Sequence, residues 1–365
     1  MLLITSPQQE LQLDVTTTSP IVLCAADENY VKPLAVTLHS AASHLAAGNK
    51  LQVVLLDGGI SESSWGGLRE TLIDLPISVQ VIRPDLSQVS DLMTSHHISH
   101  SAYLRLLACQ LLPDYVDKVI YLDSDLLVLD DVTELWQTEL GDSYCAAVVD
   151  IACPFVDARE HFAATGATSA TDRTEADFGS VPYVAALSPI PNWKQLGIDG
   201  AQRYFNSGVM ILNLKRWRED DISRKLFDCL RDNREHVWCW DQYALNVVFA
   251  GNWKPLAARW NQGTHVYEYP SEDVCPIDAD QFVAMRDRPA IVHYTTEYKP
   301  WQHRQYHPQR DLFFQHLDQT AFADWRPEDP GFRISDWWTF NIVQLIRRSV
   351  VSYRRLVSFR RRAVS

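Results

Sequence analysis

Residues Val119–Asp131 read VIYLDSDLLVLDD, and the fold class follows from them. Val119–Leu122 is a short apolar run, as a strand buried on both faces requires. It stops at Asp123-Ser124-Asp125, two carboxylates one residue apart. In open α/β sheets ligands bind beyond the carboxyl ends of the strands, so the stretch predicts a central strand that delivers a charged pair to the binding edge. Two neighbouring carboxylates repel each other, and burial raises the cost. A divalent cation removes that conflict, because Mg²⁺ and Mn²⁺ take oxygen ligands and bind through one or two carboxylates plus substrate phosphates. A solvated turn carrying the same triplet is the competing reading.

On the N-terminal side, Ile21–Ala26 (IVLCAA) is a continuous apolar run and predicts a buried strand. Val31, Leu34, Leu38, Ala42 and Leu45 then recur at helical spacing. Leu51–Leu56 and Val79–Ile82 predict two further strands, with a helix through Leu68 and Leu72 between them. This strand–helix alternation reads as an α/β fold with a parallel sheet. Tyr103–Leu112 reads as a helix stopped by Pro113. C-terminal to the carboxylates, strands are expected at Tyr144–Val149, Val209–Leu214 and Ala290–His293, and helices at Ile222–Arg231 and Gln242–Phe249. Residues 1–19 read as a loose leader. Residues 151–203 read as a long irregular excursion, the kind of loop that often lines a binding site.

Composition narrows the function. The chain has 365 residues, 46 acidic and 33 basic, a net of −13. That argues against a general nucleic-acid binder, which needs a basic surface. Residues 333–365 hold eight Arg and one Asp, so the other 332 residues carry about −20. The seven cysteines are odd in number and lack CxxC spacing, which points to reduced, mostly buried thiols. No secretory signal and no run approaching 18 apolar residues is visible. The expected compartment is the cytoplasm.

Other side chains suit the chemistry of the carboxylate pair. His293 closes the run PAIVH, and imidazole beside two carboxylates suits Mn²⁺ better than Mg²⁺. Lys299, six residues on, can neutralise a phosphate as a point charge. Ala25-Ala26-Asp27-Glu28-Asn29-Tyr30 leaves the first strand at the same sheet edge, offering an acceptor, an amide and a ring to a nucleoside. It reads equally well as a capped turn before a helix. Tyr204–Gly208 (YFNSG) and Trp240-Asp241-Gln242 put polar groups beside aromatic rings, which suits a sugar. A phosphatase with an aspartyl nucleophile also carries DxD after a strand, but usually near the start of the domain and with Thr or Val where this chain has Leu127.

Taken together, AADENY, SAYLRL, YLDSDLLVLDD, YFNSGVMILNLKRWR, WDQYALN and HYTTEYKPW, in this order between about residue 20 and residue 301, resemble glycosyltransferase family 8. This retaining group includes glycogenin, bacterial lipopolysaccharide galactosyl- and glucosyltransferases and plant galacturonosyltransferases; the resemblance is greatest to the lipopolysaccharide type. It implies a GT-A (Rossmann-like) mixed α/β sheet flanked by helices over residues 20–332, and a Mn²⁺- or Mg²⁺-dependent enzyme that moves a hexose, glucose or galactose, from a UDP-sugar to a glycan or lipid-linked glycan. By the same resemblance Asp27 would bind uracil, Tyr30 would stack on it and Asn29 would face the ribose. Asp123, Asp125 and His293 would hold the metal. Arg105 would contact the donor sugar, Asn206 and Asp241 would bind its hydroxyls, and Gln242 would lie beneath the anomeric carbon. Lys299 would stabilise the leaving diphosphate. Ala25, Ser124, Ser207 and Thr296 complete the expected donor pocket. Thr296 stands where the family motif H-x-x-G-x-x-K-P-W has glycine, which lets a backbone approach the diphosphate closely. A neutral amide at Gln242 is a weak nucleophile, so same-face attack is expected rather than a covalent intermediate; Asp241 is the alternative nucleophile. A catalytically silent nucleotide-sugar-binding member is the other reading of this pattern.

The tail has its own periodicity. Arg347, Arg354 and Arg361, with Arg348, Arg355 and Arg362, fall on one face of a helix, and Trp338, Ile342, Leu345, Ile346, Tyr353, Leu356 and Val357 on the other. A basic amphipathic helix of this kind reads as lying on an anionic membrane. The expected location is therefore peripheral, on the cytosolic face; a helix docked on the acidic body is the competing reading.

Overall fold

The computed structural model describes residues 11–16, 18–94, 99–165, 185–269, 271–272, 275–295, 299–301 and 307–326, with Ile342 and Leu345. The expectation at Thr296 and nearly all of the expected amphipathic tail lie outside the described residues; Ile342 and Leu345 are helical and exposed. Among the described residues no helix is long and apolar enough to cross a membrane.

The chain runs β1 (Ile21–Ala26), α1 (Val31–Ser43), β2 (Leu51–Asp57), α2 (Glu62–Leu72), β3 (Ile77–Ile82), β4 (Lys118–Leu122), β5 (Leu126–Val128), β6 (Cys145–Val149), β7 (Phe205–Asn213), α3 (Ile222–Asp232), α4 (Trp240–Val248), β8 (Trp253–Pro255), β9 (Gln262–Gly263), β10 (Ile291–His293) and α5 (Arg310–Leu317), with further helices at Ala158–Thr165 and Ala279–Asp287 and shorter helical turns between. Seven strands form one sheet in the order β3-β2-β1-β4-β7-β6-β8. β1 pairs parallel with β2 and β4, and β2 with β3. Every residue of β1 and β2 is buried, which matches the unbroken apolar sequence of β1 and the apolar run of β2 around Gln52.

The parallel sheet read from the strand–helix alternation is corrected on one side. β7 lies antiparallel to both β4 and β6, so the sheet is mixed. Strand direction is not visible in an apolar run. Tyr103–Leu112 is also corrected: it is a 3₁₀ stretch, His100–Leu107, that passes into a short α turn, Ala108–Leu111.

A second sheet went unread. Three residues after β4, the chain re-enters a strand, β5, which pairs antiparallel with β10, while β9 pairs parallel with β10. Helix α1 takes the place of a further strand beside β5. The Thr37 hydroxyl lies 3.0 Å from the Ser124 carbonyl oxygen and 2.8 Å from that of Leu126, and it accepts from the Leu126 N–H; Ser40 Oγ accepts from the Val128 N–H at 3.0 Å. Val36, Leu127, Val292, Tyr294, Trp301, Phe313 and Leu317 make a separate apolar cluster that seats α5 on this small sheet.

The leader is not loose where it is described. The buried Gln52 side chain accepts from the Asp14 N–H and donates to the Asp14 carbonyl, both at 2.7 Å, and Gln80 does the same to Gln12 at 2.8 and 2.5 Å. Two primary amides thus pair residues 11–16 as a strand would. Glutamines inside apolar strands gave the sequence reading no reason to expect this.

Candidate active site

The carboxyl ends of β1 and β4 open into a cavity of about 330 Å³. Its floor is Asp123-Ser124-Asp125. The turn is fixed from below, since Ser124 Oγ donates to the Ala25 carbonyl at 2.6 Å and Thr37 holds the Ser124 carbonyl. Both carboxylates therefore point up towards His293, which the antiparallel pairing of β10 with β5 brings over them. His293 Nε2 lies 3.3 Å from Asp125 Oδ1 and 3.7 Å from Asp123 Oδ2. One ligand atom from each of the three lies within 4.8 Å of the others.

The donor set fits a divalent cation. Two carboxylate oxygens and an imidazole nitrogen suit Mn²⁺, and the backbone leaves room for them. A Cβ on Gly208 would fall 2.2 Å from His293 Cε1 and 2.8 Å from Asp123 Oδ2. Only glycine lets β7 pass this close to the cluster.

The charge balance of the cluster is explicit. Burial pushes the Asp125 carboxyl up, but Lys299 and His293 outweigh it and hold it below the usual carboxylate range. Lys299 Nζ donates to Asp125 Oδ2 at 2.6 Å and to the Tyr294 carbonyl. On the other flank, Arg105 donates to Asp123 Oδ1 at 2.8 Å and to the Ser207 carbonyl at 2.7 Å, and its plane lies over the Tyr121 ring at 4.1 Å. The Tyr121 hydroxyl donates to the same Asp123 oxygen at 2.9 Å. Arg105 Nε also sits 3.0 Å from Asp241 Oδ2. Burial pushes the Asp241 carboxyl up to about 6; Arg105 pulls it down and Asp123 adds to the rise.

Asp241 is placed by strain. Trp240, just before it, has φ 45°, in the left-handed region that a bulky residue rarely adopts. That turn swings the start of α4 over the cavity. Gln242 follows with its amide tied at both ends: Nε2 donates to Asp150 Oδ2 at 2.9 Å, and Oε1 accepts from the Ser207 N–H at 3.0 Å. Asn206 donates to the same Asp150 oxygen at 3.1 Å.

Of the residues singled out from sequence, Ala25, Asp27, Tyr30, Arg105, Asp123, Ser124, Asp125, Asn206, Ser207, Asp241, Gln242, His293 and Lys299 all line this one cavity. Asn29 is exposed and is not among the lining residues. Its N–H donates to Asp27 Oδ1 at 2.9 Å in a local turn, while the residue that precedes α1 is Tyr30, whose side chain makes no capping bond, so neither Asp27 nor Asn29 caps the helix. Glu28, in the same segment, turns outward to the start of α2, accepting from the Ser61 N–H at 2.8 Å and from Ser64 Oγ at 2.7 Å. The 151–203 excursion also reaches the cavity, at its start through Ala152 and Cys153 and again through Ala185 and Ala186.

Sequence reasoning missed Asp150, Tyr121, Asn261 and Trp238. Asp150 had a usable signal: it follows the apolar run Cys145–Val149 as Asp123 follows β4. Trp238 is 55% exposed at the cavity's edge, in a stretch with no periodicity to mark it.

The profile of glycosyl transferase family 8 matches residues 21–305 of this chain. General stress protein A of Bacillus subtilis is 26% identical over 305 residues, which cover 83% of this chain and 94% of that protein. Glycosyltransferase GlyE of Streptococcus pneumoniae is 25% identical over 316 residues, covering 84% of this chain; the match spans 62% of GlyE's own length. Among solved structures, the galactosyltransferase LgtC in complex with donor and acceptor sugar analogs superposes with a TM-score of 0.63 at 24% identity, covering 82% of this chain and 96% of that one. At that identity the likeness speaks for the GT-A fold.

Proposed function

We propose that this chain, which belongs to glycosyl transferase family 8, transfers a hexose from a UDP-sugar to a glycan or lipid-linked glycan with retention at the anomeric carbon, and that it needs Mn²⁺. The observation that carries this reading is the meeting of Asp123, Asp125 and His293 with Lys299, Asp241 and Gln242 in one cavity. Asp123, Asp125 and His293 would hold the cation. When bound, it supplies positive charge to the diphosphate as the bond from C1 to the leaving oxygen breaks.

The chain's own groups do the rest. Lys299, already against Asp125, brings a second positive charge to the same phosphate edge. Asp27 and Tyr30 form the nucleoside end of the cavity, and Asn206 and Asp241 the sugar end. Arg105 is spent mainly on Asp123, Asp241 and the Ser207 carbonyl. Its contribution is to hold two carboxylates apart and in place, with Nε donating to the Ala102 carbonyl at 3.0 Å. A covalent route needs a carboxylate under C1. Gln242 is neutral and tied at both ends, so it cannot swing in as a strong nucleophile. The acceptor oxygen therefore attacks from the face the diphosphate leaves, and the departing phosphate oxygen takes its proton. The 151–203 excursion, through Ala152, Cys153, Ala185 and Ala186, shapes the acceptor side. The basic 333–365 segment holds the acidic body on an anionic membrane at the cytosolic face, where a lipid-linked acceptor is presented.

The test is UDP release by the purified protein from UDP-glucose, UDP-galactose and other UDP-sugars, with Mn²⁺ and with EDTA. Slow hydrolysis of one donor, lost in EDTA, is expected. Tight Mn²⁺–UDP binding without release from any donor, with acceptor glycans supplied, would make the chain a silent nucleotide-sugar-binding member. Thr296 at the family's glycine position is the residue that would point there.

A further inference from the structure

His293 has two ring nitrogens, and only one can offer a lone pair to a cation. Which one does so is decided by what the other nitrogen meets. His293 Nδ1 lies 2.9 Å from Asn261 Oδ1, and both side chains are buried. An amide oxygen accepts and cannot donate. If that atom is the oxygen, Nδ1 carries the proton and Nε2 is the nitrogen left facing Asp123 and Asp125, free to give its lone pair to a cation.

The direction of the Asn261 amide is not arbitrary. Its Nδ2 donates to Asn206 Oδ1 at 2.8 Å. The Asn206 amide is fixed in turn by two groups that have no choice. The Gly208 backbone N–H, a donor only, meets Asn206 Oδ1 at 3.0 Å. The Asp150 carboxylate, an acceptor only, meets Asn206 Nδ2 at 3.1 Å. Flipping Asn206 would set donor against donor and acceptor against acceptor. With Asn206 fixed, flipping Asn261 would set its amide oxygen against the Asn206 oxygen. The same Asp150 oxygen also takes the Gln242 Nε2 donor at 2.9 Å.

We propose that Asn261 is a positioning residue for the metal site: it locks His293 in the tautomer protonated at Nδ1, and Asp150, through Asn206, sets the direction of the Asn261 amide. One buried carboxylate thereby orients both the imidazole over the carboxylate pair and the amide of Gln242. The inference rests on the reading of Asp123, Asp125 and His293 as cation ligands, but only for the purpose the lone pair serves.

The tautomer can be read without metal, donor or turnover. Full-length protein labelled with imidazole-¹⁵N histidine, held in EDTA at pH 8, gives two-bond ¹H–¹⁵N correlations that distinguish the two neutral forms. His293 is identified by the pattern that disappears in His293→Gln. The expected result is a proton on Nδ1 in the unmodified protein, whether or not Nε2 also carries one towards Asp125. A bare Nδ1, as in the Nε2–H form or in an average of the two, overturns the proposal. In Asn261→Ala the pattern is expected to move towards Nε2–H. Mn²⁺ affinity, followed by the free-ion signal in electron paramagnetic resonance, is expected to fall about 10- to 100-fold. Unchanged Mn²⁺ affinity with folding intact also overturns it. Because the wild-type measurement involves no donor, a failed transfer assay would leave it standing, and a failed tautomer would leave the transferase reading standing.

Discussion

At the scale of single residues, the cavity is built from groups whose alternatives are worse. Gly208 is the clearest, since any side chain there would collide with His293 and Asp123. Gly208→Ala is expected to keep the fold at a cost of about 1–3 kcal/mol and to weaken Mn²⁺ binding by about tenfold or more; calorimetric titration checks it, and unchanged affinity would mean that the cluster does not bind the ion. Gln242→Ala should lower kcat about 10²-fold or more, with little change in donor affinity. A loss confined to KM would make Gln242 a binding group only. Asp241 gives a pH signature of unusual sign. Its carboxyl titrates near 3.8 when unfolded and near 6 when folded without metal. Between those values the folded protein holds a proton that the unfolded chain has released, so this contribution to stability is full below about 3.8 and is lost as pH rises through 6. Urea denaturation in EDTA at pH 4.5 and 7.5 should show a decline in the wild type that is smaller in Asp241→Asn by about 2–3 kcal/mol. Equal declines would place the Asp241 carboxyl in water.

At the scale of elements, α1 does more than cover the sheet. Its Thr37 and Ser40 hydroxyls take the backbone groups that a neighbouring strand would otherwise pair, and so hold the turn between β4 and β5. Thr37→Val preserves shape and removes those bonds. It should cost about 1–3 kcal/mol and weaken Mn²⁺ binding, as thermal unfolding with and without Mn²⁺ would reveal; a pure stability loss with normal Mn²⁺ affinity would separate the turn from the site. The elements also show what was legible. The apolar runs of β1, β2, β4 and β6 announce themselves because burial on both faces leaves few polar positions, Gln52 in β2 being one. Asp123 and Asp125 stand out because they end such a run, and His293 because it ends another. β5 and β9 were invisible, being only three and two residues long. β7 was visible as a strand but not as antiparallel, because pairing direction is a property of the path between strands. Asn261 lies outside any periodic segment. It acquires meaning only from partners 32 and 55 residues away in the chain.

At the scale of the whole molecule, charge is divided unevenly along the chain. The body of about −20 carries the cation cluster, and the 33 residues from 333 onward carry +7. Deleting 333–365 is expected to abolish sedimentation with vesicles containing phosphatidylglycerol and to leave Mn²⁺-dependent donor hydrolysis within about twofold; vesicle binding that survives deletion would assign the attachment to the body. The seven cysteines, all unpaired and each buried or half-buried, contribute packing and no cross-links. The cluster itself spans the chain: Asp125 and Lys299 are 174 residues apart, yet they touch. This has a consequence for biogenesis. A nascent chain emerges from the ribosome N-terminus first. It exposes Asp123 and Asp125 long before the imidazole and ammonium that will neutralise them have been translated. The cluster therefore cannot act as an early folding nucleus. It closes only when β10 docks on β5, so a prematurely terminated chain carries the acidic pair without the means to use it.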